Sequence, residues 1–535
     1  MTTVHSEREA TFEGTGLFDP RDLGRLAAVD QVREEPSEEL DAIYYDTADL
    51  HLLTHGVTLR RRDGGHDSGW HAKLPGEGPE RVEVHAPLKA GKNGDVPGEL
   101  LRRTAAYARG RPLVPVAHLR THRRRHLLLD KRGNCLAEVA QDAVAAQTLD
   151  PRQPRARADG RGSAGKGTST RITQWSEVEV ELADADSALL DAAARRMKAA
   201  GWRPAATPRK LDRALADELA AVRAHPSRRH TARTRPGSAG EAVMNRLAEQ
   251  VAELLRADPG TRVDEPDALH RMRSATRRLR NALRSQRRVL DRSRTDPVAA
   301  ELHWLTGVLA DARDHEVLGE RLSRQAARLR RRSHDPALRS ALKGLTGRVR
   351  EQEATRHDTA WRTAVTTLDS ARYFALLDAL EGLLDDPPLR RKARKSAVKQ
   401  LRKATERDRK RLAKRLAAAE RADPGPEREK ALHGARKAAR RARHTAETAL
   451  GYGGNRARKL RKRTKALQQV LGDHQDAAVA RRALVPLARE AHRAGADTFG
   501  YGLLHAAQAD SMAAAARQVP RLGHRARAPR LTRFT

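Results

Sequence analysis

The sequence has a single cysteine, Cys135, in 535 residues, so no disulfide can form within the chain. Aromatic residues make up only 3% of it. No run of about 18 apolar residues occurs, which excludes membrane-spanning helices and leaves at most peripheral contact with a bilayer. The opening MTTVHSEREATFEG has neither a basic n-region nor an apolar h-region, so an unexported, cytoplasmic protein is expected. Acidic residues are also short: 69 Asp plus Glu stand against 105 Lys plus Arg, a formal net charge of +36. Apolar mass is not lacking. Hydrophobic residues reach 39%, enough for two or three ordinary cores in a soluble, multidomain chain.

The charge surplus is confined to one part of the chain. Residues 1–220 hold 34 basic and 34 acidic side chains, so the whole +36 lies beyond residue 220. The stretch AHPSRRHTARTRPGSAG (224–240) mixes Pro, Gly, Ser and Arg without an apolar period and reads as a linker. The neutral part carries strand-like alternation, whereas the basic part is rich in Ala, Leu, Arg, Lys and Glu, all good helix formers. The expected organisation is a β-rich domain over 1–220, a linker at 221–240, a helical domain over 241–515 and a basic tail at 516–535. From Pro520 onward that tail is expected to be disordered.

The basic part repeats itself. ALHRMRSATRRLR (268–280) realigns without a gap on ALHGARKAARRAR (431–443), and LADARDHEV (309–317) matches LGDHQDAAV (471–479). Each unit therefore reads as a helical bundle of about 150 residues, with further amphipathic stretches at 241–256, 320–331, 371–384 and 392–420. At about 100° per residue, His270, Arg273, Arg277, Arg280 and Arg284 fall in one stripe, beside an apolar arc of Leu269, Met272, Thr276, Leu279 and Leu283. His433, Arg436, Arg440 and Arg443 repeat the stripe, and Leu432, Ala435, Ala439 and Ala442 repeat the arc. Like charges at this spacing repel, so the stripe needs an anion. Two sources are open: Asp311, Asp314, Asp473 and Asp476 reaching across as ion pairs, or a bound polyanion gripped by forked guanidinium hydrogen bonds.

These blocks resemble the conserved-histidine alpha-helical (CHAD) domain, over about 240–515. The resemblance implies two pseudo-symmetric helical bundles and binding of inorganic polyphosphate in a basic groove. It assigns His270, Arg273, Arg277, Arg280, His433, Arg436, Arg440 and Arg443 to that groove, with Lys437 and Arg441 as weaker members. Among arginines, each histidine is expected to be mostly neutral at pH 7 and to act as a hydrogen-bond donor or as packing.

In the neutral part, SEVEVELA puts Glu177, Glu179 and Glu181 on one face of a strand and Val178, Val180 and Leu182 on the other. Glu7, Glu9 and Thr11 likewise share a face, opposite Arg8, Ala10 and Phe12. Arg60 with Arg62, and His71 with Lys73, supply basic faces. For any one strand this is an ordinary solvated face. Several such strands closed into a barrel with a polar interior would hold hard cations on carboxylates and phosphate oxygens on Arg and Lys.

The order of these pieces resembles the CYTH (triphosphate tunnel) domain over about 4–216, through YYDT (44–47), TLRRR (58–62), WHAKLP (70–75), LRTHRR (119–124), AEVAQD (137–142), SEVEVEL (176–182) and RKLDRAL (209–215). The resemblance implies an antiparallel β-barrel, making the whole chain α+β. It maps divalent-metal ligands to Glu7, Glu9, Glu179 and Glu181, with Asp142 as a further member. It maps triphosphate-binding residues to Arg60, Arg62, Lys73, Arg123 and Lys210, with Arg120 beside Arg123. Mg²⁺ or Mn²⁺ is the implied ion. Thr11 stands where the ExExK motif has Lys, and a hydroxyl cannot supply that charge. The stretch RARADGRGSAGKGTST (155–170) lacks GxxxxGK[ST] and is expected to be a flexible insertion.

Together these readings point to a polyphosphate-binding protein, its helical domain holding the polyanion and its tunnel domain binding a triphosphate end with divalent metal. The resemblance leaves room for association with polyphosphate granules. A metal-dependent triphosphatase is one alternative, weakened by Thr11. A nucleic-acid binder is another, though the eight aromatics beyond residue 220 all lie outside the basic blocks, so base stacking is poorly supplied.

Overall fold

The computed structural model describes residues 2–14, 18–78, 80–91, 94–150, 171–183, 185–207, 209–224 and 234–534, without the side chains of 5–7, 223 and 224. The expected insertion at 155–170 and residues 225–233 of the expected linker therefore lie outside the described residues. The chain divides into two compact units, Met1–Arg229 and His230–Thr535.

In the first unit the described strands are β1 (Thr3–Glu7), β2 (Glu9–Glu13), β3 (Gln31–Glu34), β4 (Glu38–Asp46), β5 (Thr58–Asp63), β6 (Gly69–Pro75), β7 (Arg81–Ala86), β8 (Val114–Leu129), β9 (Cys135–Thr148), β10 (Ile172–Leu182) and β11 (Arg203–Pro204). They form one antiparallel sheet in the order β1-β7-β6-β5-β4-β8-β9-β10-β2-β11, with β3 added on β8. Consecutive strands β1 and β2 sit near opposite ends of this path, with only Arg8 between them. The sheet must therefore curl until its two ends approach, which splits the single N-terminal strand expected from the sequence. Short helices α1 (His51–Thr54), α2 (Gly98–Ala108), α3 (Ser187–Ala199), α4 (Lys210–Ala214) and α5 (Ala216–Ala224) complete the unit.

Alternation on β10 explains why the sheet is buried on both faces. Val178 and Val180 point outward into an apolar cluster with Leu189, Ala193 and Met197 of α3 and with Trp202. Glu177 on the other face is also buried. A Glu-lined strand face taken out of water is stable only if it meets cations or hydrogen-bond donors rather than apolar packing.

The second unit is helical: α6 (Ala239–Thr261), α7 (Ala268–Ser285), α8 (Arg292–Arg332), α9 (Pro336–Leu368), α10 (Ala371–Asp385), α11 (Ala397–Arg421), α12 (Pro426–Thr448), α13 (Gly454–Arg493) and α14 (Phe499–Ala526). The two repeated basic blocks occupy α7 and α12, which pack against each other, and the two Asp-containing segments occupy the long helices α8 and α13. The predicted apolar arcs are buried: Leu269, Met272, Thr276, Leu279 and Leu283 on α7, and Leu432, Ala435, Ala439 and Ala442 on α12. One core cluster joins Leu322, Leu345 and Val349 of the first repeat to Leu484, Leu487 and Leu504 of the second.

The expectation of a disordered tail fails. Residues up to Ala526 continue α14, and Pro529–Thr532 form a 3-10 turn. Leu531 and Phe534 are buried, and Arg409 donates to the Arg527 carbonyl at 2.7 Å. Two apolar side chains among many arginines are enough to seat the segment.

Candidate functional site

Two polar constellations carry charge in places where a plain core would not. The first lies on the inner face of the curled sheet. Register places Glu179 directly opposite Thr11, Glu181 opposite Glu9, Asp142 opposite Glu177, and Arg123 opposite Asp142. Arg123 forms a fork on Asp142 at 2.8 and 2.6 Å and also reaches Glu179 at 2.8 Å. Lys210, at the start of α4, brings its ammonium to Asp142 at 2.9 Å, Glu177 at 2.7 Å and Glu179 at 2.5 Å. Burial pushes the Glu179 carboxyl up, but Lys210 and Arg123 outweigh it and hold the group well below the usual carboxylate range.

The remaining basic residues line the same face. Arg60 donates to the Tyr44 hydroxyl at 3.2 Å, and Arg62 pairs with Asp67. Burial, with Arg60 and Arg123 nearby, brings Arg62 down to about 9. Lys73 lies 3.8 Å from Glu9, across the curl from β6 to β2. Burial raises Glu181 to about 7, with Lys73 opposing and Glu9 adding to the rise. A cavity of about 400 Å³ opens among His71, Glu83, Arg123, Glu138 and Glu181.

The sequence-derived metal set is not what converges. Among the described residues of this sheet, the acidic groups whose oxygens come within 4.8 Å of one another are Asp142, Glu177 and Glu179. Only Glu179 belongs to the expected quartet; the Glu7 side chain lies outside the described residues, and Glu9 is engaged by Lys73 and by Arg81 at 3.5 Å. Glu177 was legible on the right strand face but carried no motif signal of its own. The three carboxylates can hold a metal, and each already meets the Lys210 ammonium, so a divalent ion there would compete with that side chain. Arg120 belongs elsewhere: three residues from Arg123, it faces the other way, is mostly exposed, and pairs with Asp41 at 3.4 Å.

The second constellation is the facing pair of basic stripes on α7 and α12. Arg273 meets Asp314 at 3.1 Å, Arg436 meets Asp476 at 3.7 Å, and Arg443 meets Glu447 at 3.1 Å. Arg277 and Arg440 make no ion pair among the described residues. Burial lowers Arg277 to about 9, and the next causes are the positive charges of Arg440, Arg273, Arg436 and Arg443. Arg440 is brought down to about 10 by burial and then by Arg436, Arg273 and Arg443. The buried Nε atoms of Arg273, Arg277, Arg436 and Arg440 have no hydrogen-bond partner. Thus the first source named from the sequence operates only at the flanks, where Asp314, Asp476 and Glu447 neutralise Arg273, Arg436 and Arg443, and the centre is left to repel itself.

Both histidines adjoin this cluster. His270 is lowered by burial and then by Arg313 and Arg277. His433 Nδ1 lies 2.9 Å from Gln475 Oε1, and burial with Lys437 and Arg436 lowers it. Arg280 is lowered by burial and Arg284, with no contribution from the facing stripe. Arg441 is a structural partner of Asp408 at 2.9 Å, beside Arg411 and the Thr445 hydroxyl, rather than a groove member.

Comparison with known proteins gives the family. The CYTH domain model matches residues 20–201 and the CHAD domain model residues 245–485. The uncharacterized proteins MT2285 and Rv2226 of Mycobacterium tuberculosis, strains CDC 1551 / Oshkosh and ATCC 25618 / H37Rv, are each 37% identical over 494 residues, 91% of this chain and 89% of theirs. Among solved structures, PptA from Streptomyces chartreusis is similar at 23% identity and a TM-score of 0.44, covering 54% of this chain and 99% of that one. The CHAD domain from the plant Ricinus communis is similar at 27% identity and a TM-score of 0.42, covering 56% and 97%. No helix among the described residues is long and apolar enough to cross a membrane. With both domain models matched in order and relatives aligned over nine-tenths of its length, the chain belongs to the family of proteins in which a CYTH domain precedes a CHAD domain.

Proposed function

We propose that this protein binds inorganic polyphosphate, with the helical unit as the principal holder of the chain and the curled-sheet unit taking a triphosphate group. The observation that carries the reading is the centre of the helical groove, where Arg277 and Arg440 are buried against other cations, make no ion pair among the described residues, and keep unsatisfied Nε donors, with Asp476 opposing only in part at Arg440. Phosphate oxygens supply what such groups lack: negative charge, and acceptors in a geometry that guanidinium forks match. The repeat supplies two such rows, which suits a repeating anion better than a single phosphate.

In the sheet unit, Arg60, Arg62 and Lys73 would meet a phosphate, Arg62 in exchange for Asp67 and Lys73 for its longer contact to Glu9, while Arg123 and Lys210 are held more tightly, by several carboxylates. The acidic cluster is where Mg²⁺ or Mn²⁺ would enter, through Asp142, Glu177 and Glu179, and such an ion would polarise a bound phosphoryl oxygen. Hydrolysis has less support than binding, since Thr11 lacks the motif ammonium and Lys210 already fills the cluster. The test is competition at fixed salt: long-chain polyphosphate should displace labelled duplex DNA far better than the reverse. Substituting Arg273, Arg277, Arg436 and Arg440 together by Ala should weaken retention and flatten its salt dependence. Equal competition, or unchanged retention in the variant, overturns the reading.

A further inference from the structure

A second group of unneutralised cations lies in the helical unit, contributed by segments far apart in sequence. Arg402, Lys403 and Arg407 project from α11, spaced so that 402 with 406 and 403 with 407 stack one turn apart. Arg288 comes from the connection after α7, and Arg533 from the carboxy-terminal segment that the sequence suggested would be loose. Together they line a cleft of about 420 Å³ with Pro529 and Thr532. None of the five makes an ion pair among the described residues.

The one acidic side chain in the lining is already engaged. Glu406 takes a fork from Arg409 at 2.8 and 2.7 Å and accepts from the Thr532 hydroxyl at 2.5 Å. That last bond ties the carboxy-terminal segment to α11. Burial of Leu531 and Phe534, the Arg409 bond to the Arg527 carbonyl, and a bond from Arg456 to the Arg533 carbonyl fix the same wall from behind. The cleft is therefore built on a seated backbone, and folding of the tail is what delivers its fifth cation.

The cleft shares no lining residue with the groove. Arg407 is lowered by burial and Arg288, with Asp408 opposing and Arg411 adding, whereas the cations acting most on Arg277 belong to the α7 and α12 stripes. We infer that the cleft formed by Arg288, Arg402, Lys403, Arg407 and Arg533 is a second anion site, for a compact oligophosphate. Its lining has no aromatic ring on which a base could stack, so the phosphates themselves are what is recognised. Five cations in a pocket of this size match a ligand carrying several charges in a few ångströms better than an isolated phosphate. The ligand is either a free short oligophosphate or the end of a long chain.

Hydrogen exchange on the full-length protein tests this, read in peptides spanning 399–411 and 527–534. Tripolyphosphate should protect both peptides in the native protein. Protection should disappear in Arg402→Ala/Arg407→Ala/Arg533→Ala, whose exposed positions leave the fold intact by circular dichroism. It should persist in the groove variant Arg277→Ala/Arg440→Ala, so a failed groove and a failed cleft give different results. Long-chain polyphosphate separates the two sources: loss of its cleft protection in the groove variant marks a chain end, and retention marks an independent ligand. Absence of protection in the native protein, survival of protection in the triple variant, or equal protection by sulfate at matched ionic strength overturns the inference.

Discussion

Replacing Arg277 by Met should make the ligand-free protein more stable while making it a worse polyanion binder. The guanidinium sits at about 9 rather than its ordinary 12.5 because of burial and four neighbouring arginines. Arg stays protonated at neutral pH, so that displacement is paid as destabilisation of the fold, at most roughly 5 kcal/mol. Solvent screening and relaxation of long side chains leave about 1–2 kcal/mol as the realistic gain. Met keeps the apolar stem of the side chain, so packing is largely preserved. For a unit of this size the gain corresponds to a rise of about 1.5–3 °C in Tm. Thermal melts followed by far-UV circular dichroism, which the helical unit dominates, measure it in phosphate-free buffer of low salt. Raising salt should shrink the difference by screening the repulsion. Added long-chain polyphosphate should raise Tm strongly in the native protein and weakly in the variant, because the ligand relieves a repulsion the variant no longer has. A lower Tm for Arg277→Met without ligand would refute the reasoning, since Arg277 would then be making net favourable contacts.

Lys210→Met should lower the stability of the sheet unit, by about 3–5 kcal/mol for stranding buried carboxylates, and Mn²⁺ should restore it; calorimetric titration should show Mn²⁺ binding absent from the native protein. Mn²⁺ binding by the native protein that Glu179→Gln abolishes would show that the ammonium does not hold the site. Phosphate release from tripolyphosphate with Mg²⁺ should stay at background in the native protein, and sustained turnover would show that Lys210 leaves its carboxylates. His444 is brought down to about 4, first by burial and then by Arg443, with Glu447 opposing the fall. Between its ordinary 6.5 and about 4 the unfolded chain takes up a proton that the folded one refuses, so stability falls as pH drops through that window, by up to about 3 kcal/mol. Urea unfolding at several pH values should show this fall, flattened in His444→Gln; an unchanged slope would remove His444 from the account.

What the sequence disclosed followed from periodicity. A helical repeat with fixed 3- and 4-residue steps orients its own faces, so the buried arc through Leu269, Met272 and Leu279 and the stripe through Arg273 and Arg277 were both readable. Alternation on β10 likewise placed Glu177, Glu179 and Glu181 together. Partner choice was not readable, because it depends on which strand or helix lies opposite. Nothing in SEVEVEL distinguishes Glu177, bound by Lys210, from Glu181, held up near 7 beside Glu9. Nor does the spacing of LRTHRR announce that Arg120 and Arg123 emerge on opposite faces until a strand is assumed. The seating of the tail is unreadable for a related reason: Leu531 and Phe534 are too few to make a pattern, yet two buried side chains seat a short segment.

The two units treat buried cations in opposite ways, and this bears on where affinity resides. In the sheet unit Arg123 and Lys210 are matched by Asp142, Glu177 and Glu179 at hydrogen-bond distance. An incoming phosphate gains these two cations only by breaking contacts of similar strength, and it must also face the displaced carboxylates. Such an exchange comes out near balance and favours ligands of one shape over ligands of high charge. In the helical unit Arg277 and Arg440 make no ion pair among the described residues and are crowded chiefly by other cations, so an incoming phosphate has no contact of theirs to break and relieves a repulsion. Gain there grows with the number of phosphates seated, and with it the dependence on salt. It follows that substitutions in the helical groove should change how tightly the protein holds long polyanions, whereas substitutions among Arg123, Asp142 and Lys210 should change which short phosphate the sheet unit accepts while leaving long-chain retention nearly intact. Loss of long-chain retention on Lys210→Met, in a protein whose helical melt is unaltered, would show that this division of labour is wrong.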